Sequence, residues 1–143
     1  MMLFSQALGL QAITADDAVS VGKVADLTID AHNAAIAAVR LSGASGPTKA
    51  LAWSAVEAVG PDALIVRSRL TAEQEQVGVP AHHQALGSRV LTEHGVEHGT
   101  VKDIAFDPGS GRILTLYTAL GDIDGARLLG LGSYAVVVRA ESV

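Results

Sequence analysis

The tetrapeptide Gln6-Ala7-Leu8-Gly9 recurs letter for letter as Gln84-Ala85-Leu86-Gly87, and the stretches that follow stay in step. Thr14 matches Thr92. With one residue dropped from the second stretch, Val19, Gly22, Val24, Asp26, Asp30 and Ile36 match Val96, Gly99, Val101, Asp103, Asp107 and Ile113. So ordered a series does not come from shared composition. It reads as a tandem duplication and asks for a fold that can be built twice. Further on, Ala63-Leu64-Ile65-Val66-Arg67 is echoed by Ala135-Val136-Val137-Val138-Arg139, so each copy ends on an apolar strand. The polar run Thr71-Ala72-Glu73-Gln74-Glu75-Gln76, closed by Gly78 and Pro80, marks the boundary. The expected division is a first copy over 1–69, a linker over 70–82 and a second copy over 83–143. A domain of this size buries roughly 60% of its unfolded surface and is marginal alone, so the two copies are expected to pack together.

Within each copy the period of the pattern is two. Val24, Asp26, Thr28 and Asp30 alternate with Ala25, Leu27 and Ile29, and Gly99 to Asp107 repeats the scheme with Ile104 and Phe106 on the inner face. Asp107-Pro108-Gly109-Ser110-Gly111 then supplies turn chemistry before Ile113-Leu114-Thr115-Leu116-Tyr117, which predicts a hairpin. The first copy has Asp30-Ala31-His32-Asn33-Ala34 at that point, where Asn33 is the expected left-handed residue. Further strands near Ala12, Lys49 to Trp53 and Ala63 to Arg67 give five or so per copy, with turn signals between them. The predicted fold class is all-β: two tandem small barrels with short helical turns.

Composition narrows the function. There is no cysteine, which removes disulfide scaffolds, thiolate metal sites and cysteine nucleophiles. Ten basic against fifteen acidic side chains leave a net charge of −5, and the basic residues are scattered, so direct nucleic-acid binding is not expected. A hydrophobic fraction of 49% against 17% charged is enough for a packed core. The amino terminus lacks a basic segment ahead of its apolar residues, and no apolar run approaches the roughly 20 residues of a spanning helix. The expectation is a cytoplasmic protein without membrane insertion.

A strand ending in Asp, a turn and an apolar strand beginning at Ile36 resemble the PRC-barrel family. So does Leu51-Ala52-Trp53-Ser54-Ala55-Val56 followed by Gly60-Pro61-Asp62-Ala63-Leu64-Ile65-Val66, and Gly99 to Asp107 carries the pattern into the second copy. In that family the domain is a small β-barrel, found in the cytoplasmic part of the photosynthetic reaction-centre H subunit and at the carboxyl end of ribosome-maturation factors, where it contacts partner proteins. The resemblance implies a non-enzymatic adaptor, without a cofactor, that docks a protein partner or forms a homodimer. The second copy departs from the pattern where the first has Trp53 to Asp62. Gly130-Leu131-Gly132-Ser133-Tyr134 looks shorter there, and the last strand is expected to be entered differently.

Four candidate constellations remain. His94-Gly95-Val96-Glu97-His98 spells H-x-x-E-H, a metal-binding pattern on a helix. Gly95 and the repeat put it in a turn instead. With His82 and His83 close by, the alternative to the adaptor is a small-ligand or metal site in the cleft between the copies, using His82, His83, His94 or His98. Asp26 with Asp30, and Asp103 with Asp107, recur as carboxylate pairs, but four residues along a strand span about 13 Å, beyond the roughly 5 to 9.5 Å of glycosidase pairs. They are expected on a solvated strand face, Asp30 and Asp107 bonding the turn backbone. No sequence pairing of serines with His and Asp suggests an activated nucleophile. Trp53, Tyr117 and Tyr134 are the interface candidates, because aromatics are enriched where proteins meet, although Trp53 suits the core better.

Overall fold

Residues 20–30 and 97–106, the two alternating runs, become the long strands on which the molecule is organised. The computed structural model describes residues 1–43, 46–67 and 81–140, of which 46–49 by backbone alone. The first half contains β1 (Met2–Leu3), a one-turn helix α1 (Phe4–Ala7), β2 (Gln11–Thr14), β3 (Ser20–Asp30), β4 (Ala35–Gly43) and β5 (Gly46–Ala52). A 3-10 turn over Trp53–Ala55 leads to β6 (Val56–Val59) and β7 (Ala63–Val66). The second half has β8 (Arg89–Thr92), β9 (Glu97–Phe106), β10 (Ile113–Thr118), β11 (Gly121–Asp124), a 3-10 turn over Gly125–Arg127, β12 (Leu128–Leu131) and β13 (Val136–Val138). The protein is all-β, its strands gathered into two curled, barrel-like sheets.

One sheet runs β5-β4-β3-β2-β7-β6 and the other β11-β10-β9-β8-β13-β12, the same order of corresponding strands. Each has one parallel pair in the same register: Ala12, Ile13 and Thr14 face Leu64, Ile65 and Val66, as Val90, Leu91 and Thr92 face Val136, Val137 and Val138. The turn bonds repeat too. Gly60 N–H donates to Ala63 O at 3.0 Å and Gly132 N–H to Ala135 O at 3.1 Å. That last pair corrects the expected shortening at Gly130 to Tyr134: this loop is the same length in both halves. The second half is instead shorter in the preceding hairpin, where β4 and β5 have 9 and 7 residues but β10 and β11 only 6 and 4.

Strict alternation also fails within each long strand, where the ladder is broken by bulges. The register of β3 on β4 shifts between Val24 and Asp26, and that of β9 on β10 shifts between Val101 and Asp103. The extra residues, Ala25 and Lys102, turn outward, while Val24 and Val101 join the core. A bulge of this kind moves every later side chain to the other face. Beyond it Leu27, Thr28 and Ile29 are all buried, as are Ile104, Ala105 and Phe106.

The halves are joined in two ways. The first is a crossing of chain: β1 leaves its own half and pairs antiparallel with β9, Met2 opposite Phe106 and Leu3 opposite Ala105. The second is a meeting of hairpin turns. Ile36 N–H donates to Gly111 O and Ile113 N–H to Ala34 O, both at 2.8 Å, around the bridge from Ala35 to Arg112. These are matching residues of the two halves, and the two bonds are reciprocal. Phe4 packs edge-on against Phe106 at 5.6 Å, and Trp53 against the same ring at 6.3 Å, so one core runs through both halves. Most of the expected linker, residues 70–80, lies outside the described residues.

Ala34, and not Asn33, takes the left-handed conformation in the first turn, with φ of 50°. Asn33 is occupied otherwise, its amide nitrogen donating to Asp30 Oδ2 at 2.6 Å. The matching residue in the second half is Gly111, with φ of 79°. An alanine in this region costs about 1–2 kcal/mol, part of which a glycine gives back as unfolded-state entropy. Ala34→Gly is therefore expected to raise stability by about 0.5–1 kcal/mol, read as a higher urea midpoint at unchanged slope.

Candidate functional site

Polar side chains with long-range partners gather where each half receives a short arm of the other. On the second sheet the arm is Met2 to Ser5. Ser5 N–H donates to Asp103 Oδ1 at 3.1 Å, and its hydroxyl donates to Asp103 Oδ2. On the first sheet the matching position is reached by the segment that opens the second half. His82 Nε2 lies 2.9 Å from Asp26 Oδ2, and His82 Nδ1 lies 2.8 Å from Thr28 Oγ1. Asp26 and Asp103 are the repeated carboxylates of the sequence. They are half-buried anchors for crossing arms, which corrects their placement on a solvated strand face.

The proton positions around His82 follow from what each group can do. A carboxylate only accepts, so the His82 Nε2–H donates to Asp26, and in the neutral ring Nδ1 accepts from the Thr28 hydroxyl. Asp26 Oδ1 is meanwhile filled by Leu27 N–H at 2.8 Å. Thr28, His82 and Asp26 thus form a continuous hydroxyl-imidazole-carboxylate chain, the connectivity used to activate a nucleophile. Its hydroxyl end is shut away. Thr28 is 1% exposed, with no room for a substrate carbonyl, so the chain ties the arm down. Sequence reasoning missed this trio because His82 stands 54 and 56 residues from its two partners. The only signal was the recurrence of Asp26 as Asp103.

No protein-family model matches the chain, and no curated protein matches it either. The site must be read from its own chemistry.

The four candidate histidines do not converge. His82 is engaged as above. His83 lines a shallow depression of ≈ 430 Å³ with Gln84, Leu86, Gly87, Ser88, Gly132 and Ser133, which belongs to the second half and not to a cleft between halves. His94 is exposed in the turn before β9, where Gly95 adopts φ of 78°. His98 sits half-buried on β9 beside Gly99, its Nε2 buried with no hydrogen-bond partner. Among the described residues no cluster of three or more His, Asp or Glu is placed to hold a metal ion. Nor is any helix among them long and apolar enough to cross a membrane.

The outer carboxylates act in turns. Asp107 Oδ1 accepts from Gly109 N–H at 2.9 Å. That bond, with help from Ser110, holds the Asp107 carboxyl below its usual range. Of the aromatic candidates, Trp53 packs at the junction between halves, where it covers Gly111 and Phe106. Tyr117 is half-buried on β10 opposite Asp103. Tyr134 is 74% exposed. It is nevertheless held, because Arg89 Nη1 donates to its hydroxyl at 2.9 Å and the guanidinium lies 5.5 Å from the ring centroid.

Replacing His82 by leucine tests the tie on the first sheet. Half-buried Asp26 and buried Thr28 would lose their partner, and an unsatisfied buried group costs about 1–3 kcal/mol. The expected result is a loss of that size in chemical denaturation, with faster amide exchange at residues 26–29 than at the matching residues 103–106.

Proposed function

We propose that the chain is a non-enzymatic binding protein of the PRC-barrel type, a tandem pair of small barrels that docks a protein partner or a second copy of itself, without a cofactor and in the cytoplasm. The observation that supports this best is Tyr134. A tyrosine fixed by an arginine while three-quarters exposed is preorganised to be covered by something else, and Tyr and Arg are the residues that most often carry interface energy. Leu129 at 38% exposure lies in the same hairpin. Leu120 at 65% and Val96 at 61% are also on the second half. The polar groups at the junction are spent on holding the halves together, which agrees with a scaffold more than with a reactive centre.

The test is capture of partners from the native host's lysate on the purified chain, with a nuclease-treated control and mass spectrometry. A stoichiometric, nuclease-resistant protein, or recovery of the same chain, is the expected result. Material that disappears with nuclease would overturn the reading and the charge argument behind it.

A further inference from the structure

The ladders of the two halves match at the start of each long strand, but the side chains there do different work. Gln11 faces Lys23 and Ile13 faces Ser20, as Arg89 faces Thr100 and Leu91 faces Glu97. Val24 faces Leu41 as Val101 faces Thr118, so Ser42 and Gly43 correspond to Ala119 and Leu120. In the second half the place is closed. Arg89 Nε pairs with Glu97 Oε1 at 3.1 Å, and Leu120 packs over Gly99, where an added Cβ would lie 3.5 Å from its Cγ. In the first half it is open: Gln11, Ser20, Gly22, Lys23, Ser42 and Gly43 line a concavity of ≈ 400 Å³. Gly22 is required there, because with φ of 139° an added Cβ would fall 2.9 Å from Ser42 O. Gly43 leaves space, since among the described residues no atom lies within 4 Å of a Cβ built on it.

We propose that this concavity binds the phosphate group of a small, soluble phosphate monoester, held by Lys23 together with Gln11 and Ser42. The site goes beyond the docking reading and does not depend on it. A surplus of hydrogen-bond donors selects an anion. The Ser20 hydroxyl donates to Gln11 Oε1 at 2.8 Å, which occupies the acceptor end of that amide and leaves its NH2 without a partner among the described residues. Lys23 brings three N–H donors and makes no hydrogen bond or ion pair among them either. The Ser42 hydroxyl adds one more. None of the described lining residues is acidic. At the rim, Arg40 stands two residues before Ser42 on the same side of β4, and Asp26 opposite it already accepts from His82 and from Leu27 N–H. Asp62, just before the Ala63 that faces Gln11, and Asp16 and Asp17 in the β2–β3 turn do not line the site. Three donor side chains suit the three free oxygens of a phosphate monoester, where a carboxylate offers two, and the lysine serves as the point charge common at phosphate sites. The volume is that of a small-molecule pocket and leaves room for the group that carries the phosphate. Most of the lining is exposed, so the expected Kd is about 0.1–1 mM.

The test is titration of the isotope-labelled full chain with inorganic phosphate and then with glycerol phosphate at constant ionic strength, followed through backbone amide NMR shifts. Saturable shifts confined to Gln11, Ser20 to Lys23, Ser42 and Gly43 are the expected result, with glycerol phosphate binding at least as tightly. Lys23→Thr and Gly43→Leu install the residues that the second half carries at the same positions, so both should keep the wild-type thermal transition. Each should weaken binding by about tenfold or more, the first by removing the cation and the second by filling the space. Lys102→Ala, which removes an exposed lysine of the second half and changes the net charge as Lys23→Thr does, should leave the affinity within about twofold. Absence of saturable shifts, binding that the folded Lys23→Thr variant retains, or an equal loss with Lys102→Ala overturns the proposal. Binding to vesicles that bear phosphatidic acid without any response to glycerol phosphate would assign the site to a lipid surface and overturn it too. Partner capture from lysate is read separately, so loss of this site leaves the docking reading as it stands.

Discussion

Phe4→Ala should lower stability by about 4 kcal/mol, the usual cost of deleting a buried phenylalanine ring. For a chain of this size that corresponds to a fall in Tm of about 12 °C. The reason lies in where the ring sits. Phe4 is wholly buried, yet it belongs to a four-residue segment at the chain's beginning that has left its own half. Its neighbour Phe106 is shared with Trp53 of the first half, so three rings from both halves meet at one place. Removing the first ring opens a cavity there and loosens the arm whose other fixings are the two bonds from Ser5 to Asp103 and the short pairing with β9. Ser5→Ala provides the comparison, with an expected loss of about 1 kcal/mol for the hydroxyl bond. Both variants are measured by urea denaturation followed at Trp53, which reports the junction directly. If Phe4→Ala kept the wild-type midpoint, the arm would contribute little to holding the halves together.

The repeat made much of the fold legible. Its period-two runs marked the long strands, the Asp-Pro-Gly segment marked a hairpin, and the apolar echoes marked the closing strands. What it concealed were the crossing arms. Phe4 and His82 occupy matching positions just before the shared Gln-Ala-Leu-Gly motif, but one is an aromatic that fills a core and the other an imidazole that bridges Asp26 and Thr28. Segments of three or four residues show no periodicity, and their partners lie dozens of residues away, so only the carboxylates Asp26 and Asp103 left a visible trace. The bulges at Ala25 and Lys102 were hidden for a different reason. Alternation states which residues share a face only while the register is unbroken, and one extra residue reverses it. Ala34 shows the limit of turn propensities: Asn33 was the better left-handed candidate, yet its amide was worth more as a donor to Asp30.

Gly125→Ala should cost about 3 kcal/mol, at the upper end of what forced packing costs. A Cβ built on Gly125 would lie 2.2 Å from the Ile113 carbonyl oxygen and 2.7 Å from its carbon. Those are backbone atoms of β10, which cannot swing aside as the end of a side chain could. The turn itself cannot easily lift either, because Asp124 Oδ1 accepts from Ala126 N–H at 2.8 Å and fixes its first residues. The φ of Gly125 is ordinary, so the penalty is steric and owes nothing to glycine's conformational freedom. Gly121 supplies the opposite case, with φ of 129° and no atom within 4 Å of its added Cβ. Gly121→Ala should therefore lose only the backbone strain, about 1–2 kcal/mol. Measured together by thermal unfolding, the two variants separate crowding from strain, and a smaller loss at Gly125 than at Gly121 would mean that the turn moves away from β10 at little cost. The position that corresponds to Gly125 in the first half is Trp53, the first residue of its own 3-10 turn. There the side chain reaches across the junction and lies so close over Gly111 that a Cβ on that glycine would fall 2.6 Å from Trp53 Nε1. One turn of the same backbone thus supplies the largest side chain in the protein and the other supplies none, which is how two halves with matching strands come to fit against each other without being interchangeable.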